Sequence, residues 1–190
     1  SPAAQVSHAV TISDYHDPVS LRAFANAVDV ISFEFENVSA EGLDLLAAMK
    51  PVRPAPSVLR ISQDRVAEKS FLNGAGVATA PWAEVHTLTD LEASVQRLGL
   101  PAVLKTTRLG YDGKGQAMLR APADLAPAFE RLSPKPLVLE GFVDFACEIS
   151  VVIARGADGT MSAFDTVENR HSHHILDLTL APARIAPAVD

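Results

Sequence analysis

The stretch "RLGYDGKGQ" at residues 108–116 sets three glycines, a tyrosine, an aspartate and a lysine between two apolar runs. The runs, "AVLKT" (102–106) and "QAML" (116–119), read as strands. A tight hairpin needs one or two glycines. Three point to a backbone that approaches a ligand closely, or that moves. Backbone N–H groups in a strand–loop–strand of this kind can wrap phosphate oxygens, because no Cβ stands in the way. Lys105 before the loop and Lys114 inside it would add positive charge. The spacing is not G-x-x-x-x-G-K-[ST], which excludes a P-loop, and it is not G-x-G-x-x-G opening a helix. The competing reading is a flexible hairpin with solvated charges.

Charged residues in apolar surroundings extend the question. Lys105 interrupts an apolar strand; it faces either solvent or a ligand. Glu140 ends "LVLE" and Glu148 begins "EISVV". Either they are strand-end charges reaching water, or the backbone beside Glu140 meets an adenine edge and Glu148 accepts from ribose hydroxyls. "FEFEN" (33–37) puts Glu34 and Glu36 on one side of an extended segment and Phe33 and Phe35 on the other. It follows the apolar run "VDVIS" (28–32), where an open α/β sheet places its ligand crevice. In "HSHH" (171–174), adjacent histidines cannot all face one ion and no Cys or Asp is spaced to help, so no metal site is assigned.

Composition narrows the class. The chain has 190 residues, 48% of them hydrophobic, enough for one sizeable core or two small ones. A net charge of −7, without a Lys/Arg-rich run, argues against nucleic acid or an anionic membrane as partner. No apolar stretch approaches the length of a membrane span, and no signal-peptide pattern opens the chain. The one cysteine, Cys147, excludes an internal disulfide, suits a reducing cytosol and reads as a small buried hydrophobe. The chain starts Ser-Pro-Ala-Ala and stops at Asp190 in mid-phrase, which suggests a piece of something longer.

Along the chain, "HAVTI" (8–12) and "VDVIS" read as strands. Asp17-Pro18 starts a helix to about Ala27, and Ser39 caps a second one ended by Pro51. This alternation argues for a parallel α/β layer. "KPVRPAPS" (50–57), with three prolines, is the expected domain boundary. A third helix is predicted from Ser62 to about Leu72. A fourth is predicted behind a Thr89/Glu92 capping box, ended by Gly99. Another lies near 123–132, weakened by Pro127. "EISVVIAR" (148–155) is read as one strand that turns through "GADG" (156–159) into "TMSAFDTVENR" (160–170).

Five segments together resemble one family: "DVISFEFENV" (29–38), "QDRVAEKSFL" (63–72), "PAVLKTTRLGYDGKGQ" (101–116), "LEGFVDFACEISVVIAR" (139–155) and "ENRHSHHIL" (168–176). They are similar to 5-(carboxyamino)imidazole ribonucleotide synthetases, ATP-grasp enzymes of purine biosynthesis. The resemblance implies a partial ATP-grasp fold of class α/β. Residues 1–60 would end an N-terminal parallel α/β domain. Residues 61–137 would form a linker helix and lid, and 138–190 would begin an antiparallel nucleotide-binding domain. It implies ATP phosphates at Arg65 and Lys105, under a loop of Gly110, Tyr111, Asp112, Gly113, Lys114, Gly115 and Gln116. Adenine would meet Glu140, Gly141, Phe142 and Val143; Glu148 would hold the ribose, with His171 near the nucleotide. Glu34, Glu36 and Asn37 would bind substrate, and Tyr111 and Asp112 would be catalytic.

The implied reaction joins bicarbonate to 5-aminoimidazole ribonucleotide at the expense of ATP, through carboxyphosphate, in a cytoplasmic homodimer. Mg²⁺ would be held by acidic residues outside this stretch of the family pattern, which this chain lacks together with the family's first glycine-rich turn. The alternatives are another ATP-grasp carboxylate–amine ligase, or a nucleotide-binding piece without catalysis.

Overall fold

The computed structural model describes residues 2–109, 115–172 and 175–185. The chain divides into two compact units, Ser1–Thr79 with Thr107–Leu109, and Ala80–Thr106 with Gly110–Asp190.

The first unit carries helices α1 (Pro2–Val6), α2 (Pro18–Asn26), α3 (Ala40–Ala47), α4 (Pro56–Ser62) and α5 (Arg65–Gly74). Local chemistry starts most of them. Asp17 accepts from the Val19 N–H ahead of Pro18, and Ser39 accepts from Gly42. Ala25, Ile31, Leu43, Leu46, Val52 and Leu59 form the core. Gly42 is needed for close approach: a Cβ there would stand 2.6 Å from the Tyr15 carbonyl.

Several expectations change here. The run 28–32 forms a single parallel bridge, Ile31 to Val52; Val52 is buried in this unit's core, the rest of the proline segment 50–57 is exposed or half-buried, and the segment lies within the unit. Residues 8–12 form no strand; Ile12 is almost fully exposed, and a strand needs a neighbour to pair with. The helix expected from Ser62 to about Leu72 is α5, which starts at Arg65, and a separate helix, α4, precedes it and ends at Ser62. Pro56 starts α4, and Asp64 starts α5 by accepting from Val66 and Ala67.

The second unit begins with β1 (Trp82–Val85), α6 (Leu88–Leu98), β2 (Ala102–Thr106), β3 (Gln116–Leu119), a 3₁₀ turn (Pro122–Asp124), α7 (Leu125–Leu132) and β4 (Leu137–Gly141). The strands make an antiparallel sheet in the order β1-β4-β2-β3. Alternation decides its faces. Val85, Ala102, Leu104, Ala117, Leu119, Leu137 and Leu139 pack with Leu91 of α6 and Leu125, Ala128 and Leu132 of α7. The register puts Trp82, Val103, Lys105, Gln116, Val138 and Glu140 on the opposite face. Pro127 sits in the first turn of α7, where an N–H has no intrahelical partner in any case.

Beyond β4 come β5 (Glu148–Ser150), β6 (Ile153–Arg155), β7 (Met161–Ala163), β8 (Val167–Ser172) and β9 (Ile175–Leu180). The long strand expected over 148–155 is split. Its first part pairs with β8 in a sheet β5-β8-β9, and its second pairs with β7. The expected turn at 156–159 is present, with Gly159 at φ 86°. Cys147, expected to be buried, is exposed.

The capping box of α6 is Thr87/Asp90, two residues before the expected pair. The Thr87 hydroxyl accepts from Asp90 N–H, and the Asp90 carboxylate accepts from the His86 and Thr87 N–H groups. These contacts, led by the Thr87 side chain, hold the Asp90 carboxyl below the usual aspartate range. Thr87→Ala should therefore cost about 1 kcal/mol in urea unfolding, and Thr89→Ala less than about 0.5 kcal/mol. Because the Asp90 pKa is depressed on folding, its contribution is present above the ordinary aspartate range and lost as pH falls through the folded value. The difference between wild type and Asp90→Asn should shrink accordingly in unfolding curves recorded at falling pH.

Candidate functional site

Lys105 lies on the sheet face opposite α6 and α7, diagonal to Glu140 across the β2–β4 ladder. Its Nζ meets Glu140 Oε2 at 2.7 Å. The pair is largely withdrawn from water, with side-chain exposures of 26% and 12%. A lysine in an apolar strand is thus neither solvated nor alone, and its ammonium is held at one spot on the sheet. Past Glu140, the Gly141 N–H donates to the Pro81 carbonyl and the Phe142 N–H to the Pro101 carbonyl. Val143 and the Phe142 side chain are exposed.

The second carboxylate is arranged in the same way. Glu148 on β5 lies opposite Asn169 on β8, and His171 follows two residues along, past a bulge at Arg170/His171. His171 Nδ1 and Glu148 Oε2 are 2.7 Å apart. Asn169 donates to the Ser150 hydroxyl and accepts from the Thr179 hydroxyl, tying the three strands together beside the pair. Two acidic strand residues therefore each engage a basic group on the neighbouring strand. Each presents a hydrogen-bonding pair of polar side chains.

In the first unit, Arg65 opens α5. Its N–H donates to the Thr107 carbonyl, and its guanidinium donates to the Leu109 carbonyl at 2.7 Å. Leu109 has φ 62°, a left-handed backbone that leucine seldom adopts. Arg108 lies 3.8 Å from the Asp64 carboxylate. Arg65 and Asp64 thus hold the segment that enters the glycine loop. Gly110, Tyr111, Asp112, Gly113 and Lys114 lie outside the described residues, as do His173 and His174. Gly115 is described; its carbonyl accepts from the Thr106 N–H at the loop's exit.

The acidic segment "FEFEN" borders two hollows of the first unit. One, of about 300 Å³, is lined by Phe33, Glu34 and Phe35 together with Tyr15 and Phe24. The other, of about 280 Å³, is lined by Asn37, Ser39, Gln63 and Arg108 among others. Sequence reasoning does not single out Gln63, which is 8% exposed and donates to the carbonyls of Glu36 and Val38. A polar residue between two helix starts is its only sequence signal. Nor does sequence reasoning pair Lys105 with Glu140, a contact made by strand register. Among the described residues, no group of three or more His, Cys, Asp or Glu side chains converges as metal ligands would, so no step is assigned to a metal held there.

An antiparallel sheet backed by two helices, with the Lys105–Glu140 pair on its other face, defines an α/β class. Residues 70–190 match the family model of the ATP-grasp domain, and residues 1–63 match that of the ribonucleotide synthetase preATP-grasp domain. The chain belongs to the ATP-grasp family. It is 46% identical over 169 residues to the N5-carboxyaminoimidazole ribonucleotide synthase of Pseudomonas aeruginosa, covering 89% of this chain and 47% of that protein. It matches the Staphylococcus aureus N5-carboxyaminoimidazole synthetase complexed with ADP at TM-score 0.94 and 33% identity, over 99% of this chain and 50% of the other. It also matches the Aspergillus clavatus enzyme in complex with ADP and 5-aminoimidazole ribonucleotide, at TM-score 0.88 and 26% identity, over 99% and 50% of the two chains. The chain spans about half the length of these relatives.

The Lys105–Glu140 contact can be measured directly. A double-mutant cycle with Lys105→Met and Glu140→Leu should return a coupling of roughly 1–2 kcal/mol in unfolding free energy, as expected for a mostly buried, hydrogen-bonded pair. Glu140→Leu alone should be the more destabilising change if it strands the lysine, and adding Lys105→Met should recover part of the loss.

Proposed function

We propose that this chain contributes to an ATP-dependent ligase that carboxylates 5-aminoimidazole ribonucleotide with bicarbonate. The products would be 5-(carboxyamino)imidazole ribonucleotide, ADP and phosphate. The observation that carries the reading is the two polar side-chain pairs, Lys105–Glu140 and Glu148–His171, in a chain that matches an ADP complex of such a synthetase at TM-score 0.94. The relative solved with ADP and 5-aminoimidazole ribonucleotide supports the choice of substrate.

In this reading residues 1–60 end a pre-ATP-grasp domain, 61–137 are linker helix and lid, and 138–190 begin the nucleotide-binding domain. ATP supplies the phosphoryl group that activates bicarbonate as carboxyphosphate. Lys105 neutralises phosphate charge, positioned by Glu140, and Arg65 holds the entry of the loop formed by residues 110–116. Glu148 accepts from ribose hydroxyls, with His171 beside it. The segment from Glu140 to Val143 borders the adenine. Glu34, Glu36 and Asn37 contact the ribonucleotide. Carboxyphosphate hydrolyses in water, so a glycine-rich lid that closes over it suits the chemistry. Mg²⁺, a cytoplasmic location and a dimer of two copies complete the proposal; no metal ligand is assigned to this chain.

Two measurements on the intact protein test this. Lys105→Ala should weaken ATP binding by about 1.5–3 kcal/mol in calorimetry, the scale of a charge-assisted hydrogen bond; unchanged affinity would remove Lys105 from the site. Asp112 is assigned as the base for the amine that attacks the activated carboxylate, a role open to a carboxylate desolvated under a closed lid. With Asp112→Asn, bicarbonate-dependent ADP formation should continue while carboxylated product per ADP drops. A parallel fall of both, with their ratio unchanged, would make Asp112 a shaping residue of the loop.

A further inference from the structure

We propose that Gln63 is the positioning residue for the acidic segment 33–37, separately from its neighbours Asp64 and Arg65, which hold the entry of the glycine loop from the same helix junction. The assignment of contacting residues in that segment rests on the function proposed above.

The geometry is specific to a carboxamide. Gln63 caps the end of α4, and its Nε2 donates to the Glu36 carbonyl at 2.6 Å and the Val38 carbonyl at 2.7 Å. Two carbonyls need two N–H donors on one atom, and a primary amide supplies both. The side chain is 92% withdrawn from solvent, so water cannot readily replace it. The clamped carbonyls flank Asn37 and stand at the turn that ends the acidic segment, immediately before the Ser39 cap of α3. The backbone of residues 36–38 is therefore held from one side by Gln63 and followed directly by a capped helix start.

The next two residues face the other way along the junction. Asp64 caps α5 and lies near Arg108; Arg65 binds the carbonyls of Thr107 and Leu109. Gln63 and Arg108 also line the same 280 Å³ hollow as Asn37. At this turn between two helices, Gln63 thus sets the backbone of the acidic segment, while Asp64 and Arg65 set the strap leading into the loop. A shift of Gln63 would move the backbone that carries the acidic side chains.

The test uses the intact protein with Gln63→Met, which keeps length and removes both donors, and Gln63→Glu, which keeps shape and turns an acceptor toward two acceptors. The expected result is at least a tenfold rise in KM for 5-aminoimidazole ribonucleotide, with KM for ATP within twofold of wild type. Backbone deuterium uptake should rise at residues 33–40 and stay unchanged at residues 125–132. Gln63→Asn, a milder change that keeps the donors on a shorter arm, should fall between. An unchanged KM for 5-aminoimidazole ribonucleotide in Gln63→Met would overturn the proposal, as would a parallel rise of both KM values. A wild-type protein with no response to 5-aminoimidazole ribonucleotide would instead refute the proposed function. In that case deuterium uptake decides the clamp alone: faster exchange at 33–40 in the variants supports it, and unchanged exchange overturns it.

Discussion

Lys105 stands on a strand whose alternate residues, Ala102, Leu104 and Thr106, are buried, and its ammonium meets Glu140 across the neighbouring strand. A slip of one residue in β2 would turn that ammonium toward α6 and α7, where nothing among the core residues Leu91, Leu125 and Leu132 could pair with it. The pair and the register therefore enforce each other. The apolar face chooses the register by burial, and the register delivers the lysine to its carboxylate. β4 is the strand most dependent on this arrangement, because it lies between β1 and β2 and its residues 137–140 are all buried. The same diagonal geometry recurs at Glu148 and His171, so both contacts follow from antiparallel pairing.

The first unit relies on a different device. It contains little sheet among its described residues, a single Ile31–Val52 bridge, and its segments are joined by side chains bonded to backbone. Ser39 and Asp64 satisfy helix N–H groups, while Gln63 and Arg65 satisfy carbonyls. Loop segments such as 33–38 and 107–109 have no strand ladder there to satisfy their polar groups. Placing the acidic segment by such a clamp, and Lys105 by a sheet, means that the two could be perturbed independently.

Much of this was legible in local sequence. Asp17-Pro18 and Ser39 announced helices because a cap acts over three residues. The strands 102–106, 116–119 and 137–140 were legible because alternation or continuous apolar character marks them. The glycine-rich stretch and "FEFEN" carried the resemblance to a carboxylating ATP-grasp enzyme, and the family match agrees with it. The misreadings share a cause. Thr87-x-x-Asp90 and Thr89-x-x-Glu92 both fit a capping template, and the choice fell to the pair that directly follows β1, whose last residue, Val85, is buried and paired with Leu137. Residues 148–155 look like one strand, but their two halves find different partners, β8 and β7.

By itself, then, the sequence determined the elements whose signals are local: caps, alternation, turn glycines, and the residue types able to meet a nucleotide. Only the tertiary structure decided which charges face each other. Lys105 is 35 residues from Glu140, and Gln63 is 27 and 25 residues from the carbonyls it clamps. Pairing at those separations depends on strand register and on where helix ends are packed, and both are set by burial over the whole unit.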